Sequence, residues 1–270
     1  GRELREKLSP RRGGGRTRFA WIKREVSPAQ WAQVHRLGIP GIGAIPENKR
    51  VYPNANVAAH VLGFADIDNV GIAGIEKWID SQGLNDLKGA GFVVEAQDLK
   101  PIQLSIDLRV THAMRDEMLK AVNKYKAKAG AAALMDVNTG EIIAHVSLPD
   151  YDPNQPALAQ NDKNINRLQV GVFEMGSTFK ALTTAMALDS GKYNVNSTFD
   201  ARAALRYGRF KIGDFRGKGR VLTLPEVFVY SSNIGTARMA LGVGVEQHKA
   251  FLKKMGQLDR LITELPESSM

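Results

Sequence analysis

The sequence contains no cysteine, which excludes disulfide frameworks, thiolate metal sites and cysteine nucleophiles at once. It has no run approaching the roughly 18 apolar residues that a membrane-crossing helix needs, and its N-terminus shows no charged-then-apolar leader. As given, it reads as a water-soluble chain. Histidines are few, and His35, His60, His112, His145 and His248 stand far apart with no pair at metal-ligand spacing. The acidic residues of the first hundred positions, Asp66, Asp68, Glu76 and Asp80, repeat no ligand spacing either. No metal and no cofactor is expected. A Ser-His-Asp triad is left open by sequence distance, but no G-x-S-x-G elbow is present.

What remains is an ordinary globular composition, 270 residues with 43% hydrophobic side chains. That suffices for one large domain, or for a catalytic domain with a smaller companion. The formal charge is +9, and much of the excess sits in Arg11, Arg12, Arg16, Arg18, Lys23 and Arg24. No zinc-finger spacing or aromatic RNA-binding signature accompanies these cations. They are read as a solvated basic surface, and no nucleic-acid partner is expected.

Gly13, Gly14 and Gly15 break the chain near its start. Thr17, Phe19 and Trp21 then alternate with polar or small neighbours as a half-buried strand does. Ser27 as cap, Pro28 in the first turn and Gln30 closing a capping box predict a short helix with Trp31 and Val34 on one face, ended by Gly38. Loop or edge strand extends to Pro53, then an apolar run over 57–64, a short element over 71–79 and a connection over 83–91. Beyond Pro101 the elements lengthen. Val110, Met114, Met118, Val122 and Tyr125 recur at helical spacing. Residues 131–137 and 141–147, joined by Asn138, Thr139 and Gly140, predict a β-hairpin. Phe179, Leu182 and Met186 mark a buried helix, and the pattern is mostly helical from there on. Helix, hairpin and helices in that order imply an α+β domain.

Two short segments carry candidate chemistry. In residues 173–180 (FEMGSTFK), Ser177 stands at a helix entry and Lys180 one turn on, so both face the same way. A serine hydroxyl needs a base, and a lysine becomes one only if burial lowers its pKa. The helix N-terminus also favours negative charge developing near Ser177. Taken alone, S-x-x-K recurs by chance, and Ser177 serves equally as an N-cap. In residues 230–235 (YSSNIG), whose Ser231 lies 54 residues after Ser177, small hydroxyl and amide groups interrupt two apolar stretches. Ser231 is placed to relay a proton, and Asn233 offers both donor and acceptor to a substrate amide. An ordinary turn has the same composition.

Together the two segments resemble the S-x-x-K and S-x-N motifs of the penicillin-binding proteins. The resemblance extends to residues 135–144 (MDVNTGEIIA), 149–154 (PDYDPN) and Asn166-Arg167, which look like the family's opening transpeptidase hairpin, the loop after it and the approach to the nucleophile. Residues 50–53 (RVYP), 59–64 (AHVLGF) and 71–76 (GIAGIE) are similar to the non-catalytic pedestal of class B members. Ser231-Ser232-Asn233 with Ile234-Gly235 after it is closer to the cell-division branch than to the elongation branch.

The resemblance implies a β-lactamase-like transpeptidase fold over 101–270, apparently incomplete at its C-terminus, preceded by a partial pedestal over 1–100. It further implies a peptidoglycan D,D-transpeptidase that β-lactams acylate. Ser177 would be the nucleophile, Lys180 its base, Ser231 the proton relay to the leaving amine and Asn233 a substrate ligand. The implied partners are peptidoglycan stem peptides, β-lactam antibiotics and divisome proteins including a glycosyltransferase. The implied location is the periplasmic side of the inner membrane at the septum, on a parent anchored by a segment not in this sequence.

Three departures stand out. Met175 occupies the family's usual proline position, an early arginine-glycine segment of the pedestal is lacking, and no K-T-G or K-S-G comes after Asn233. A fragment of a longer protein is therefore expected. Two alternatives stay open: a non-catalytic divisome scaffold, and a β-lactamase or β-lactam sensor on the same fold.

Overall fold

The computed structural model describes residues 19–84, 101–159 and 161–267. The Gly13 to Gly15 breaker, Thr17, the basic residues Arg11, Arg12, Arg16 and Arg18, and nearly all of the 83–91 connection lie outside the described residues.

Helix α1 (Pro28–His35) starts as its sequence requires. Ser27 and Gln30 exchange reciprocal bonds, the Gln30 N–H donating to Ser27 Oγ at 3.2 Å and the Ser27 N–H to Gln30 Oε1 at 3.1 Å. The strand expected through Phe19 and Trp21 does not form. Alternation yields a strand only beside a hydrogen-bonding partner, and none lies there among the described residues. Instead the two rings meet edge to face at 5.0 Å, and the Arg24 guanidinium covers Trp21 at 4.8 Å.

The run over 57–64 becomes a single turn, Ala59–Leu62, leading into β1 (Phe64–Ala65). β1 pairs antiparallel with β2 (Gly71–Ala73), which passes directly into α2 (Gly74–Ile79). Gly74 has φ +61°, and a Cβ there would lie 2.5 Å from the Gly63 nitrogen, so only glycine fits this crossing.

Helix α3 (Leu108–Tyr125) is capped by Asp107, whose carboxylate accepts from the Arg109 and Val110 N–H groups at 2.8 and 3.3 Å. It packs on the hairpin of β3 (Gly130–Met135) and β4 (Ile142–Leu148), paired antiparallel from Gly130 opposite Leu148 to Met135 opposite Ile142. The turn between them is closed by Asp136, which accepts from the Asn138 N–H at 2.8 Å, and by Gly140 at φ +78°. β4 is buried on both faces from Ala144 onward, because α3 and the Ala59–Leu62 turn both lie against it.

That second contact fastens the first part of the chain to the rest. The Asn154 amide grips the Tyr52 backbone from both sides, accepting its N–H at 2.9 Å and donating to its carbonyl at 2.9 Å. Tyr151 donates its hydroxyl proton to the Ala59 carbonyl at 3.2 Å, and His60 Nε2 lies 2.8 Å from the Asn164 carbonyl. Tyr52, Ala59, Phe64 and Tyr151 share one apolar cluster. Beside it the Arg115 guanidinium holds Asp150 at 2.5 and 3.1 Å.

The second core lies under helix α4 (Lys180–Asp189). Between 198 and 223 the expected helical texture gives way to strands: β5 (Thr198–Asp200), β6 (Leu205–Tyr207), β7 (Phe210–Ile212) and β8 (Val221–Thr223). β5 pairs with β8 and β6 with β7. Three-residue strands are too short for a period of two to show in sequence. Helices α5 (Leu224–Val229), α6 (Asn233–Val243) and α7 (Val245–Lys254) complete the fold. Met186, Leu222, Val227 and Met239 are fully buried at their junction. The architecture is α+β, as expected.

His145, in the middle of β4, has no hydrogen-bond partner on either ring nitrogen among the described residues, and desolvation pushes its pKa down to about 4 from 6.5. The unfolded chain therefore binds protons that the folded one refuses as pH falls from about 6.5 toward 4, and stability is lost across that window. His145→Leu should lose less of its urea midpoint between pH 7 and pH 4.5 than the parent. Equal losses would assign the acid sensitivity elsewhere.

Candidate active site

Gly176, at φ +56°, turns the chain into a single 3₁₀ turn, Gly176–Phe179, which runs straight into α4. Residues three apart nearly eclipse in a 3₁₀ turn, so Ser177 stands one turn ahead of Lys180 on the same side. The Ser177 side chain is exposed, and its hydroxyl has no hydrogen-bond partner among the described residues. Met175 has φ −69°, a value that proline also holds. Its carbonyl accepts the Thr178 hydroxyl proton at 2.6 Å, so the departure from proline leaves the helix entry intact.

Lys180 reaches across to the second motif. Its ammonium donates to the Ser231 carbonyl at 2.6 Å, to Ser231 Oγ at 3.0 Å and to Asn233 Oδ1 at 2.6 Å. Three of the four residues singled out by sequence, Lys180, Ser231 and Asn233, are thus in direct contact, and Ser177 lies beside them without bonding to any of them. Burial lowers the Lys180 pKa, and the negative charge of Asp214 opposes that shift.

Ser231 is held at φ +52°, an uncommon backbone for a residue with a side chain. The turn is fixed by the Ser231 and Ser232 N–H groups donating to the Phe228 and Val227 carbonyls at 3.0 and 2.9 Å. Ser232, to which the sequence assigned no role, is buried and caps α6 by accepting the Gly235 N–H at 2.9 Å. Its hydroxyl donates to Asp214 at 2.8 Å, while the other Asp214 oxygen accepts the Ile234 N–H at 3.0 Å. The Asn233 amide donates to the Gly213 carbonyl at 2.8 Å. Gly235 is required by packing, since a Cβ would lie 2.5 Å from a Val227 methyl.

Asp214 is the residue that sequence reasoning missed. It sits in a stretch of glycine and basic residues that resembles solvated loop, and nothing in the linear pattern ties it to Ser232. A serine just ahead of a helical run is a common N-cap signal, and that signal could have pointed to the Ser232 cap of α6. Among the described residues no cluster of metal-ligating side chains occurs, and no helix is long and apolar enough to cross a membrane.

A serine one turn before a partly buried lysine, with that lysine bonded to a serine and an asparagine at the head of a second helix, is an arrangement that serine acyl-transfer chemistry can use. The profile of the penicillin binding protein transpeptidase domain matches residues 130–269, and the chain belongs to this family. It is 38% identical over 250 residues to a relative from Caulobacter vibrioides described as a probable peptidoglycan D,D-transpeptidase FtsI, with 93% of this chain and 41% of the relative covered. It is 34% identical over 239 residues to the peptidoglycan D,D-transpeptidase FtsI of Escherichia coli K12, with 84% and 40% covered. The chain therefore spans about two-fifths of the length of these curated relatives. Among solved structures it is similar to penicillin binding protein 3 of Mycobacterium tuberculosis, both in its apo form (TM-score 0.67, 26% identity, 82% of this chain and 50% of that one) and complexed with ampicillin (0.68, 26%, 83% and 50%).

Asp214→Asn removes the charge that caps α6 and supports the Lys180 ammonium. The variant should lose about 1 kcal/mol of stability in urea denaturation. Its Lys180 should titrate at lower pH than in the parent, monitored by NMR of labelled lysine side chains. A Lys180 titration that does not move contradicts the electrostatic link.

Proposed function

We propose that the chain carries the nucleophile-bearing part of a peptidoglycan D,D-transpeptidase working in septal wall synthesis, with Ser177 as its nucleophile. The observation that carries this reading is the Lys180 ammonium bonded to Ser231 and Asn233, one turn from an exposed, unbonded Ser177 hydroxyl. In the parent protein, residues 101–270 form the N-terminal part of the transpeptidase domain, and residues 1–100 belong to the pedestal.

The chemistry is set by the donors and acceptors present. As an ammonium, Lys180 spends all three protons on Ser231 and Asn233; only the neutral amine has a lone pair for the Ser177 proton. Ser177 Oγ attacks the carbonyl carbon of the penultimate residue of a D-alanyl-D-alanine end while its proton passes to Lys180. The Ser177 N–H, at the positive end of the helix, is one donor to the resulting oxyanion. Collapse breaks the peptide bond, and Ser231, in hydrogen-bond contact with Lys180, hands the proton to the departing D-alanine amine. The acyl-serine is then attacked by an amine of a neighbouring stem peptide, which restores the Ser177 hydroxyl. Asn233 donates one N–H to Gly213 and accepts from Lys180, which leaves one N–H and one lone pair for the peptide. A β-lactam acylates the same oxygen.

The location and company of the parent are part of the same proposal. It works on the periplasmic side of the inner membrane, held there by an anchor outside this sequence, among division proteins that include a glycosyltransferase. This rests on the likeness of the pedestal segments to class B members and of the SSNIG segment to the cell-division branch.

Incubation with benzylpenicillin and then intact mass spectrometry with peptide mapping should place a stable adduct on Ser177. Ser177→Ala should abolish it with the denaturation midpoint kept, because an exposed serine contributes little to stability. Since burial lowers the Lys180 pKa, the acylation rate should rise with pH and level off below the ordinary lysine value of 10.5. Absence of the adduct in both this chain and its longer parent overturns the proposal; rapid hydrolysis in place of a stable adduct indicates a β-lactamase.

A further inference from the structure

Between Thr198 and Tyr230 seven cationic side chains accompany three carboxylates. All three carboxylates are engaged: Asp200 with Arg202, Glu226 with Arg220, and Asp214 with Ser232 and the Ile234 N–H. Arg206, Arg209, Lys211, Arg216 and Lys218 have no carboxylate partner among the described residues. Two of them are set against each other, because the register of β6 and β7 places Arg206 directly opposite Lys211. Like charges facing across an antiparallel pair destabilise it.

This charge stands beside the candidate site. The residues just after β7 are bonded to the second motif, Gly213 to the Asn233 amide and Asp214 to Ser232, and β7 packs against α6. The hairpin and the S-x-N turn therefore form one unit. Aromatic rings accompany the cations: Arg209 lies 5.3 Å from the Phe210 ring, Arg216 5.8 Å from Phe215 and Lys218 4.7 Å from Tyr230.

The hairpin's two faces differ. Arg206 and Lys211 share one, while Leu205 and Ile212 are half-buried on the other, with Leu205 packed on the α4 core. A membrane-surface element carries its cations flanking a single apolar face that enters the lipid; here Leu205 and Ile212 of that face are turned to the protein, Tyr207 and Phe210 toward the turn stay exposed, and the cations Arg206 and Lys211 stand on the opposite face. An extended anion lying along the cationic face would relieve the repulsion between Arg206 and Lys211.

We infer that the cationic face of the β6–β7 hairpin, with Arg216 and Lys218 beyond it, docks an acidic peptide through several of its carboxylates and leads it to the Ser177 site. The inference rests on the proposed peptide substrate and names a second determinant for it, the carboxylates away from the reacting D-alanyl end. Attraction between exposed charges is screened within about 10 Å at 0.1 M salt, so this docking weakens as ionic strength rises.

The test uses fluorescence anisotropy with a labelled soluble stem peptide carrying free carboxylates, and the same peptide with those carboxylates amidated. The protein should bind the free acid on the order of tenfold more tightly than the amide. The pair Arg206→Ser and Lys211→Ser, made together, should remove most of that difference while leaving benzylpenicillin acylation of Ser177 at the parent rate. Equal binding of the two peptides, or an undiminished preference in the paired variant, overturns the inference. So does a variant that keeps the peptide preference and loses only its binding to phosphatidylglycerol vesicles, which would assign the surface to lipid. Acylation of the parent reports separately on the proposed function: if Ser177 is acylated and the acid is not preferred, only the docking surface fails.

Discussion

One ammonium joins two helices that have no covalent reason to meet. Lys180, at the start of α4, donates to the carbonyl and hydroxyl of Ser231 and to the Asn233 amide at the start of α6. Its partial burial disfavours the charged form, so the cation is held where its charge is unwelcome. Neutral acceptors and the Asp214 carboxylate keep it in place. Burial lowers its pKa, and in the proposed mechanism that shift makes the amine a base for Ser177, one turn earlier in the chain.

That contact is only as precise as the elements behind it. Asp214 anchors the α6 entry through Ser232 and Ile234, and Gly235 lets α6 press onto Val227. α4 in turn rests on the core of Met186, Leu222, Val227 and Met239. On the other side, the grip of Asn154 on Tyr52 and the Tyr151 bond to Ala59 tie residues 52–59 to the loop after the hairpin across about a hundred positions of sequence. Each of these polar bonds lies in or next to an apolar cluster, where losing one partner strands the other.

Much of this was legible in the chain before any coordinates. The capping box of α1, the amphipathic run of α3 and the glycine turn between β3 and β4 are local signals, and local energetics decide them. The strand expected around Phe19 and Trp21 failed because a strand is a property of a pair, and the β5 to β8 pieces were invisible because three residues carry no period. Ser177, Lys180, Ser231 and Asn233 were visible as residue types at telling spacings. Asp214 was not, since its importance comes from a bond to Ser232 eighteen positions away.

The sequence by itself determined the helix starts, the hairpin, the absence of thiol chemistry and the identity of two short motifs, all of which depend on residues within a few positions of one another. Tertiary structure alone decided that Lys180 is shared between those motifs, that Ser232 and Asp214 aim the second one, and that Arg206 faces Lys211 beside the site. Such contacts form only when folding brings separated segments together against the entropy of the loops between them, and that closure leaves no mark in the linear pattern.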